Sequence, residues 1–212
     1  MIQLTANECR VLGVLVEKAQ TTPQQYPLTL NALVSGCNQK NNREPVMELS
    51  DTQVQEALDS LRQNGLAREV MLSGSRVEKF RHVAREVIEI DTRELVILAE
   101  LMLRGPQTNG ELRGRASRMH PLESTEVVKN LLDGLINRPE PLVKELPAAP
   151  GDRAPRFMQL LCPTAHPLDA PPRPAAVSTS SSAPMSNELL DRLARLEREV
   201  EQIKQALGSL TA

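Results

Sequence analysis

One pattern in this chain occurs twice, and any fold must accommodate both copies. Near the N-terminus, Leu4-Thr5-Ala6-Asn7-Glu8 places an apolar residue ahead of a capping box. Thr5 caps a helix start and Glu8, three residues on, returns the bond. Ile90-Asp91-Thr92-Arg93-Glu94 repeats the arrangement. Each box leads into an apolar stripe at helical spacing: Val11, Leu12, Leu15, Val16 and Ala19 in the first, Val96, Ile97, Leu98, Leu101 and Met102 in the second.

The two copies stay parallel beyond the stripes. In the first copy Pro23 and Pro27 end the opening helix, and a short helix is predicted from Thr29 through Leu30, Leu33 and Val34 to Gly36 or Cys37. A polar loop, CNQKNNREP, leads to a third helix capped by Ser50 with Gln53 in the box position. It turns Val54, Ala57, Leu58 and Leu61 inward and stops at Asn64-Gly65. Extended runs over 66–72 and 76–83, joined by Ser73-Gly74-Ser75, read as a hairpin. In the second copy Gly105-Pro106 stops the first helix, and Thr108 with Glu111 boxes a short helix running through Leu112 and Ala116 to Met119. Ser124 opens the third helix, where Leu132-Asp133-Gly134-Leu135 echoes Leu58-Asp59-Ser60-Leu61. Runs over 142–146 and 157–161 flank a Pro-rich tip from Pro147 to Pro155. Both return strands set a basic residue before Phe: Lys79-Phe80 and Arg156-Phe157.

Three helices and a hairpin make the winged form of the helix-turn-helix plan. The predicted fold is mainly α with small β-hairpins (α+β): two tandem winged-helix domains, residues 1–88 and 89–163, and a C-terminal coiled-coil-type helix. Val83 to Glu89 leaves almost no linker, so the two units are expected to join rigidly. The competing architecture is one mixed helical domain with both hairpins paired into a single sheet. Residues 164–185 are rich in Pro, Ala and Ser and predict a disordered or extended linker. Over 186–212, Ser186 caps a helix whose Leu189, Leu193, Leu196, Val200, Ile203, Leu207 and Leu210 alternate steps of four and three. That heptad seam predicts self-association as a homodimer or higher homo-oligomer; the competing reading docks the helix on its own winged domains.

Composition narrows the function classes. One Tyr, two Phe and no Trp among 212 residues argue against base-stacking nucleic-acid modules, which need aromatic platforms. A formal net charge of −2 supplies no overall pull toward phosphate or anionic lipid. Cys9, Cys37 and Cys162 stand far apart in sequence, which disfavours a disulfide framework or zinc site and fits a reducing compartment. No stretch approaches the roughly 18 apolar residues of a membrane helix, so a cytoplasmic protein without a membrane partner is expected. Phosphate-loop, dinucleotide, zinc-protease and nucleophile-elbow motifs are absent. His82, His120 and His166 have no ligand-spaced partners and are read as structural or solvated. No catalytic residue, cofactor or metal ligand is expected, and the protein is read as non-enzymatic.

Duplex DNA is the partner a winged helix suggests, through the third helix in the major groove. Gln53 and Gln55 could read adenine, but Asp51, Glu56 and Asp59 share that helix with them, beside Arg62. Glu126, Lys129, Asn130 and Asp133 are no better in the second copy. Basic residues cluster elsewhere: Lys40 and Arg43 in the loop, Arg76, Lys79 and Arg81 on the hairpin, and Arg113, Arg115 and Arg118 on the second unit's short helix. These, with Asn42, are the candidate contacts to DNA or a protein partner. The alternative function is a protein–protein scaffold without DNA affinity, favoured by the acidic third helices. The loop itself has two readings: a brace between helices, its amides bonding backbone, or a recognition surface with Lys40, Asn42 and Arg43 pointing outward.

The string Tyr26-Pro27-Leu28-Thr29-Leu30-Asn31-Ala32-Leu33, followed by Cys37-Asn38-Gln39-Lys40-Asn41-Asn42-Arg43-Glu44-Pro45-Val46, resembles the YceH family of bacterial proteins. Glu78-Lys79-Phe80-Arg81-His82 is similar to a further family segment. The resemblance covers about residues 1–163. It implies a tandem winged-helix architecture in a cytosolic bacterial protein, and it implies no reaction.

Overall fold

A computed structural model of the chain describes residues 2–71, 77–148 and 154–166. The fold is α+β: among the described residues, seven helices with small antiparallel sheets. The first half runs α1 (Ala6–Thr21), a 3-10 turn (Pro23–Gln25), α2 (Leu30–Cys37), α3 (Asp51–Gln63), β1 (Ala67–Val70) and β2 (Lys79–His82). The span Val83–Glu89 is more than a bare joint, since it holds a short helix, α4 (Ala84–Ile88). The second half runs α5 (Thr92–Arg104), β3 (Gln107–Thr108), α6 (Asn109–Ala116), α7 (Thr125–Ile136), β4 (Val143–Leu146) and β5 (Arg156–Gln159).

The caps explain where the helices begin. Thr5 with Glu8, Ser50 with Gln53, Asp91 with Glu94 and Thr108 with Glu111 all form complete capping boxes. Thr29 and Ser124 cap without the returning bond. Each such cap contributes about 1 kcal/mol. Gly65 ends α3 at φ +71°, a conformation that costs glycine nothing.

Each half contains extended pairing that the sequence pattern does not announce. Gln107-Thr108, just before α6, pairs with Phe157-Arg156, giving the strand order β3-β5-β4. In the first half Leu28, just before the cap of α2, exchanges both backbone bonds with Phe80: its N–H donates at 3.0 Å and its carbonyl accepts at 2.7 Å. The repeat therefore extends to a third, very short stretch laid against the return strand at the Phe. One or two residues carry no period-2 signal, which is why periodicity is silent there. The two sheets remain separate.

The buried side chains of both halves form one cluster. α1 is buried throughout Glu8–Glu17 and α5 throughout Leu95–Leu103, so both are interior helices rather than amphipathic surface ones. They pack on each other so tightly that a Cβ on Gly13 would lie 3.0 Å from Leu103 Cδ2. The opening helices of the two halves thus share one core. Chain order persists past β5: a 3-10 turn (Pro163–Ala165) leads to His166, which is buried, its Nε2 2.7 Å from the Glu44 carbonyl. His166 is therefore a docked residue and not part of an extended linker. The heptad positions Leu189 to Leu210 lie outside the described residues.

Candidate nucleic-acid interface

The first hairpin is a two-faced ribbon. β1 and β2 pair in the register Ala67↔His82, Arg68↔Arg81, Glu69↔Phe80 and Val70↔Lys79. Residues directly opposite share a face, and faces alternate along each strand. Ala67 and Phe80 are buried. Arg68 and Arg81 are directly opposed and exposed, and Val70 opposite half-buried Lys79 continues toward the hairpin's head. Among the described residues neither arginine nor Lys79 has a carboxylate within ion-pair distance. Like charges set directly opposite destabilise a ladder, so the ribbon keeps an arrangement that folding alone disfavours.

The inner side holds the ribbon in place. The His82 backbone N–H donates to Tyr26 Oη at 2.7 Å, and the two rings tilt together with centroids 6.1 Å apart. Burial pushes the Tyr26 phenol up to about 12, so it stays protonated. Burial pushes the His82 imidazole down to about 4, so it is neutral near pH 7. Positive charge on the ribbon therefore comes from Arg and Lys alone.

α3 offers much less to a polyanion. Gln53 is spent on the capping box, its Oε1 accepting from Ser50 N at 2.9 Å. Gln55 Nε2 donates to Asp59 Oδ1 at 3.1 Å. Arg62 reaches Asp59 at 3.2 Å and Glu69 at 2.8 Å. With Asp51 and Glu56 exposed as well, the helix shows solvent a mostly acidic face.

The loop before α3 is a brace. Arg43 is 4% exposed. Its Nε donates to Gly36 O at 3.1 Å, and its Nη atoms serve Glu17, the Asn42 carbonyl and Gln39 Oε1. Arg43 is therefore not an outward contact: its planar fork satisfies a buried carboxylate, two backbone carbonyls and the Gln39 amide oxygen at once. Asn42 takes a left-handed turn (φ 59°) and its Oδ1 accepts from Arg104 Nη1 at 2.9 Å, tying the loop to α5. Asn38 clamps Leu49 from both sides, donating to its carbonyl at 2.8 Å and accepting from its N–H at 2.7 Å. Of the three loop candidates Lys40 and Asn42 are exposed, but Asn42 is engaged by Arg104, whereas Lys40 has no ion pair among the described residues.

The basic side chains of α6 and the turn beyond it are likewise committed. Arg118 bridges Glu17 of α1 and Glu100 of α5, whose side chains are 2% and 0% exposed. Burial opposes charge at Glu17, but Arg43 and Arg118 outweigh it and hold the carboxyl below the usual range. At Arg118 desolvation opposes charge, but its two carboxylates overcome it and push the guanidinium up. Arg115 pairs with Glu111 at 3.2 Å and donates to Gln107 Oε1 at 2.9 Å. Arg113 is exposed and donates to the Glu123 carbonyl at 3.2 Å.

The second hairpin does not repeat the basic face. The positions matching Arg68↔Arg81 and Val70↔Lys79 are filled from Lys144↔Met158 and Leu146↔Arg156. Met158 is 1% exposed, and Arg156 Nη1 donates to Pro106 O at 3.3 Å with Glu111 Oε2 at 3.4 Å. Of the twelve candidate contacts, Lys79 and Arg81 end on the ribbon's outer side and Arg76 lies outside the described residues. Arg68 was missed: counting back from Ser73-Gly74-Ser75 sets it opposite Phe80, and only the register of the folded ribbon places it opposite Arg81. Cys9 and Cys162, far apart in sequence, meet as buried thiols. The hydrogen bond to Cys162, with burial, pushes the Cys9 thiol up. Among the described residues no group of His, Cys, Asp and Glu converges on a metal-sized site, and no helix is long and apolar enough to cross a membrane.

Matches to known proteins cover most of the chain. Residues 4–152 match a family model described as "Protein of unknown function, DUF480". A UPF0502 protein of Koribacter versatilis is 45% identical over 200 residues, covering 94% of this chain and 90% of its own. One from Geobacter metallireducens is 46% identical over 203 residues, covering 93% and 88%. One from Shewanella oneidensis is 41% identical over 219 residues, covering 100% and 99%. The matched span runs from the residue before the first cap through the second hairpin's outgoing strand, and the relatives match nearly end to end: the chain belongs to the DUF480 (UPF0502) family of bacterial proteins.

Proposed function

We propose that this protein is a non-enzymatic, cytoplasmic DNA-binding regulatory factor with two tandem winged-helix units, and that it grips duplex through the outer face of its first hairpin rather than through α3. The observation that carries the reading is the exposed Arg68↔Arg81 pair with Lys79 beside it: three cations without ion-pair partners among the described residues, on a ribbon whose back is pinned to the core. The twofold order of helix, short extended stretch, two helices and hairpin supports the winged-helix assignment. Phosphate neutralisation supplies most of the affinity in non-specific DNA binding. Self-association through the heptad seam at Leu189 to Leu210 would bring two ribbons to one duplex.

The acidic faces of α3 and α7 favour one other reading, a protein–protein scaffold without affinity for DNA. Fluorescence anisotropy of the full chain with random-sequence duplex, titrated across a salt series, separates the two. DNA binding predicts an affinity that falls steeply with salt. Replacing Arg68 and Arg81 together by Ala should flatten the log–log slope by about 2, since each phosphate contact contributes about 0.9. No binding at the lowest salt overturns the DNA reading and favours the scaffold.

A further inference from the structure

We infer that Cys9 and Cys162 are a redox pair: two thiols held together so that a peroxide converts them into a reversible disulfide. The bond would strap the opening helix of the first half to the segment that follows the last strand of the second. It does not depend on the DNA-binding reading. Both cysteines are free and fully buried, at 0% exposure. Backbone contacts bring their two stretches together independently of the thiols. The Leu4 N–H donates to the Leu161 carbonyl at 2.7 Å, and α1 packs on the 3-10 turn Pro163–Ala165. One side chain then holds Cys162 at both of its backbone polar atoms. Gln159, itself 0% exposed, donates from Nε2 to the Cys162 carbonyl and accepts at Oε1 from the Cys162 N–H, each at 2.7 Å. The backbone carrying that thiol therefore has little freedom. Packing alone does not ask for sulfur here: four residues past its cap α5 holds Leu95, as interior as Cys9 in α1.

The surroundings give the two sulfurs different characters. Around Cys162 Sγ lie the Cys9 thiol, the Thr164 hydroxyl at 3.5 Å and the backbone N–H groups of Thr164 and Ala165. Donors converging on one sulfur favour its thiolate. The hydrogen bond from Cys9 is the largest cause, and the Cys162 thiol is pushed down to about 6. The Cys9 thiol, which gives that bond away from water, is pushed up. One sulfur is thus an anion near pH 7 and its neighbour a protonated donor, a nucleophile beside a resolving thiol. Exposed Thr164, two residues on, sets Cys162 close to the surface for a molecule as small as peroxide. The Cys162 thiolate attacks one peroxide oxygen; an S–O bond forms as the O–O bond breaks. The departing hydroxide takes up the proton that Cys162 had given to solvent. Cys9 sulfur then attacks the sulfenic sulfur; the S–S bond forms, the S–O bond breaks, and hydroxide leaves as water with the Cys9 proton. The two sulfurs lose two electrons between them, and the peroxide is reduced to two waters. Cys37 is as deeply buried, but its thiol is pushed up to about 12 by that burial.

The experiment exposes the full, reduced chain to hydrogen peroxide near pH 7 and maps its thiols by alkylation and mass spectrometry over time. Met71, 75% exposed, reports through its sulfoxide that the oxidant has acted. Wild type should lose two hydrogens and show a Cys9–Cys162 bond that dithiothreitol reverses. Cys37 should be consumed about ten-fold more slowly than Cys162. The bond closes a ring around nearly the whole described fold, so the oxidised chain should melt about 10 °C higher. In Cys9→Ala the resolving thiol is gone, and dimedone should trap Cys162 as its sulfenic acid; the wild-type readouts decide even where that variant does not fold. Several results would overturn the pair: Met71 sulfoxide with all three thiols intact, Cys37 oxidised as fast as Cys162, or Cys162 carried to sulfinic acid while Cys9 stays free. A Cys9–Cys162 bond that forms only after denaturant is added, or an oxidised chain that melts lower than the reduced one, overturns it too. Since the test contains no DNA, failure of the DNA-binding reading leaves the pair standing, and the reverse holds as well.

Discussion

Arginine appears in two regions of this molecule under opposite conditions. At the seam between α1 and α5, Arg43 and Arg118 are locked onto Glu17 and Glu100, their charge balanced and their donors spent. On the first hairpin, Arg68 and Arg81 face each other across a ladder with no carboxylate beside them among the described residues. A cluster of basic residues in sequence therefore says little about nucleic acid until each partner is known. Guanidinium groups paired to buried carboxylates hold elements together because an unpaired buried carboxylate is too costly to leave. Exposed, unpaired and mutually repelling ones are retained against a small folding penalty, which is the better sign of an external anion.

The largest effect should come from removing a seam arginine. Arg43→Met leaves buried Glu17 with Arg118 and the more distant Lys18 at 3.9 Å and should cost about 3–5 kcal/mol in chemical denaturation, with no change in the salt slope of DNA binding for the fraction that stays folded. A variant that melts like wild type but loses binding would put Arg43 on the wrong side of the comparison. Acidification tests both regions next. His82, under the hairpin, has its pKa depressed from 6.5 to about 4, and His166, at the seam, is depressed too. Between those values the unfolded chain binds more protons than the folded one, so stability is full above pH 6.5 and declines as pH falls toward 4. Thermal melts should drop by about 4 °C across that window, and His82→Gln should make the decline shallower, the rest belonging to His166. The smallest expected effects compare the two hairpins directly. Arg156→Ala removes a half-buried pair with Glu111 and should cost about 0.5 kcal/mol with DNA affinity unchanged. Arg68→Ala with Arg81→Ala relieves a like-charge pair and should gain about 0.5 kcal/mol at low salt while sharply weakening DNA binding. Equal behaviour of the two would erase the distinction between them.

Much of the fold was legible because its signals are local. Capping boxes at Thr5, Ser50, Asp91 and Thr108, and Gly65 as a stop, lie within three or four residues of the group they serve, and all function as expected. The misreadings share a cause as well. Arg43 looks like a surface charge in sequence because its carboxylate, Glu17, lies a whole helix earlier. His166 looks solvated because the carbonyl it meets belongs to Glu44. Cys9 and Cys162 look unrelated although their thiols meet.

The chain's own order of residues set the helices, their ends, the hairpins and the duplication, since propensity, capping and periodicity act over a few residues and need no partner. Tertiary packing was required to place α1 and α5 back to back in a single core and to choose which arginines would be consumed there. It also fixed that the first ribbon would set two exposed arginines directly opposite each other, where the second sets Lys144 opposite buried Met158. Charge pairing depends on three-dimensional distance and on exclusion of water, and neither is written in the spacing of a sequence.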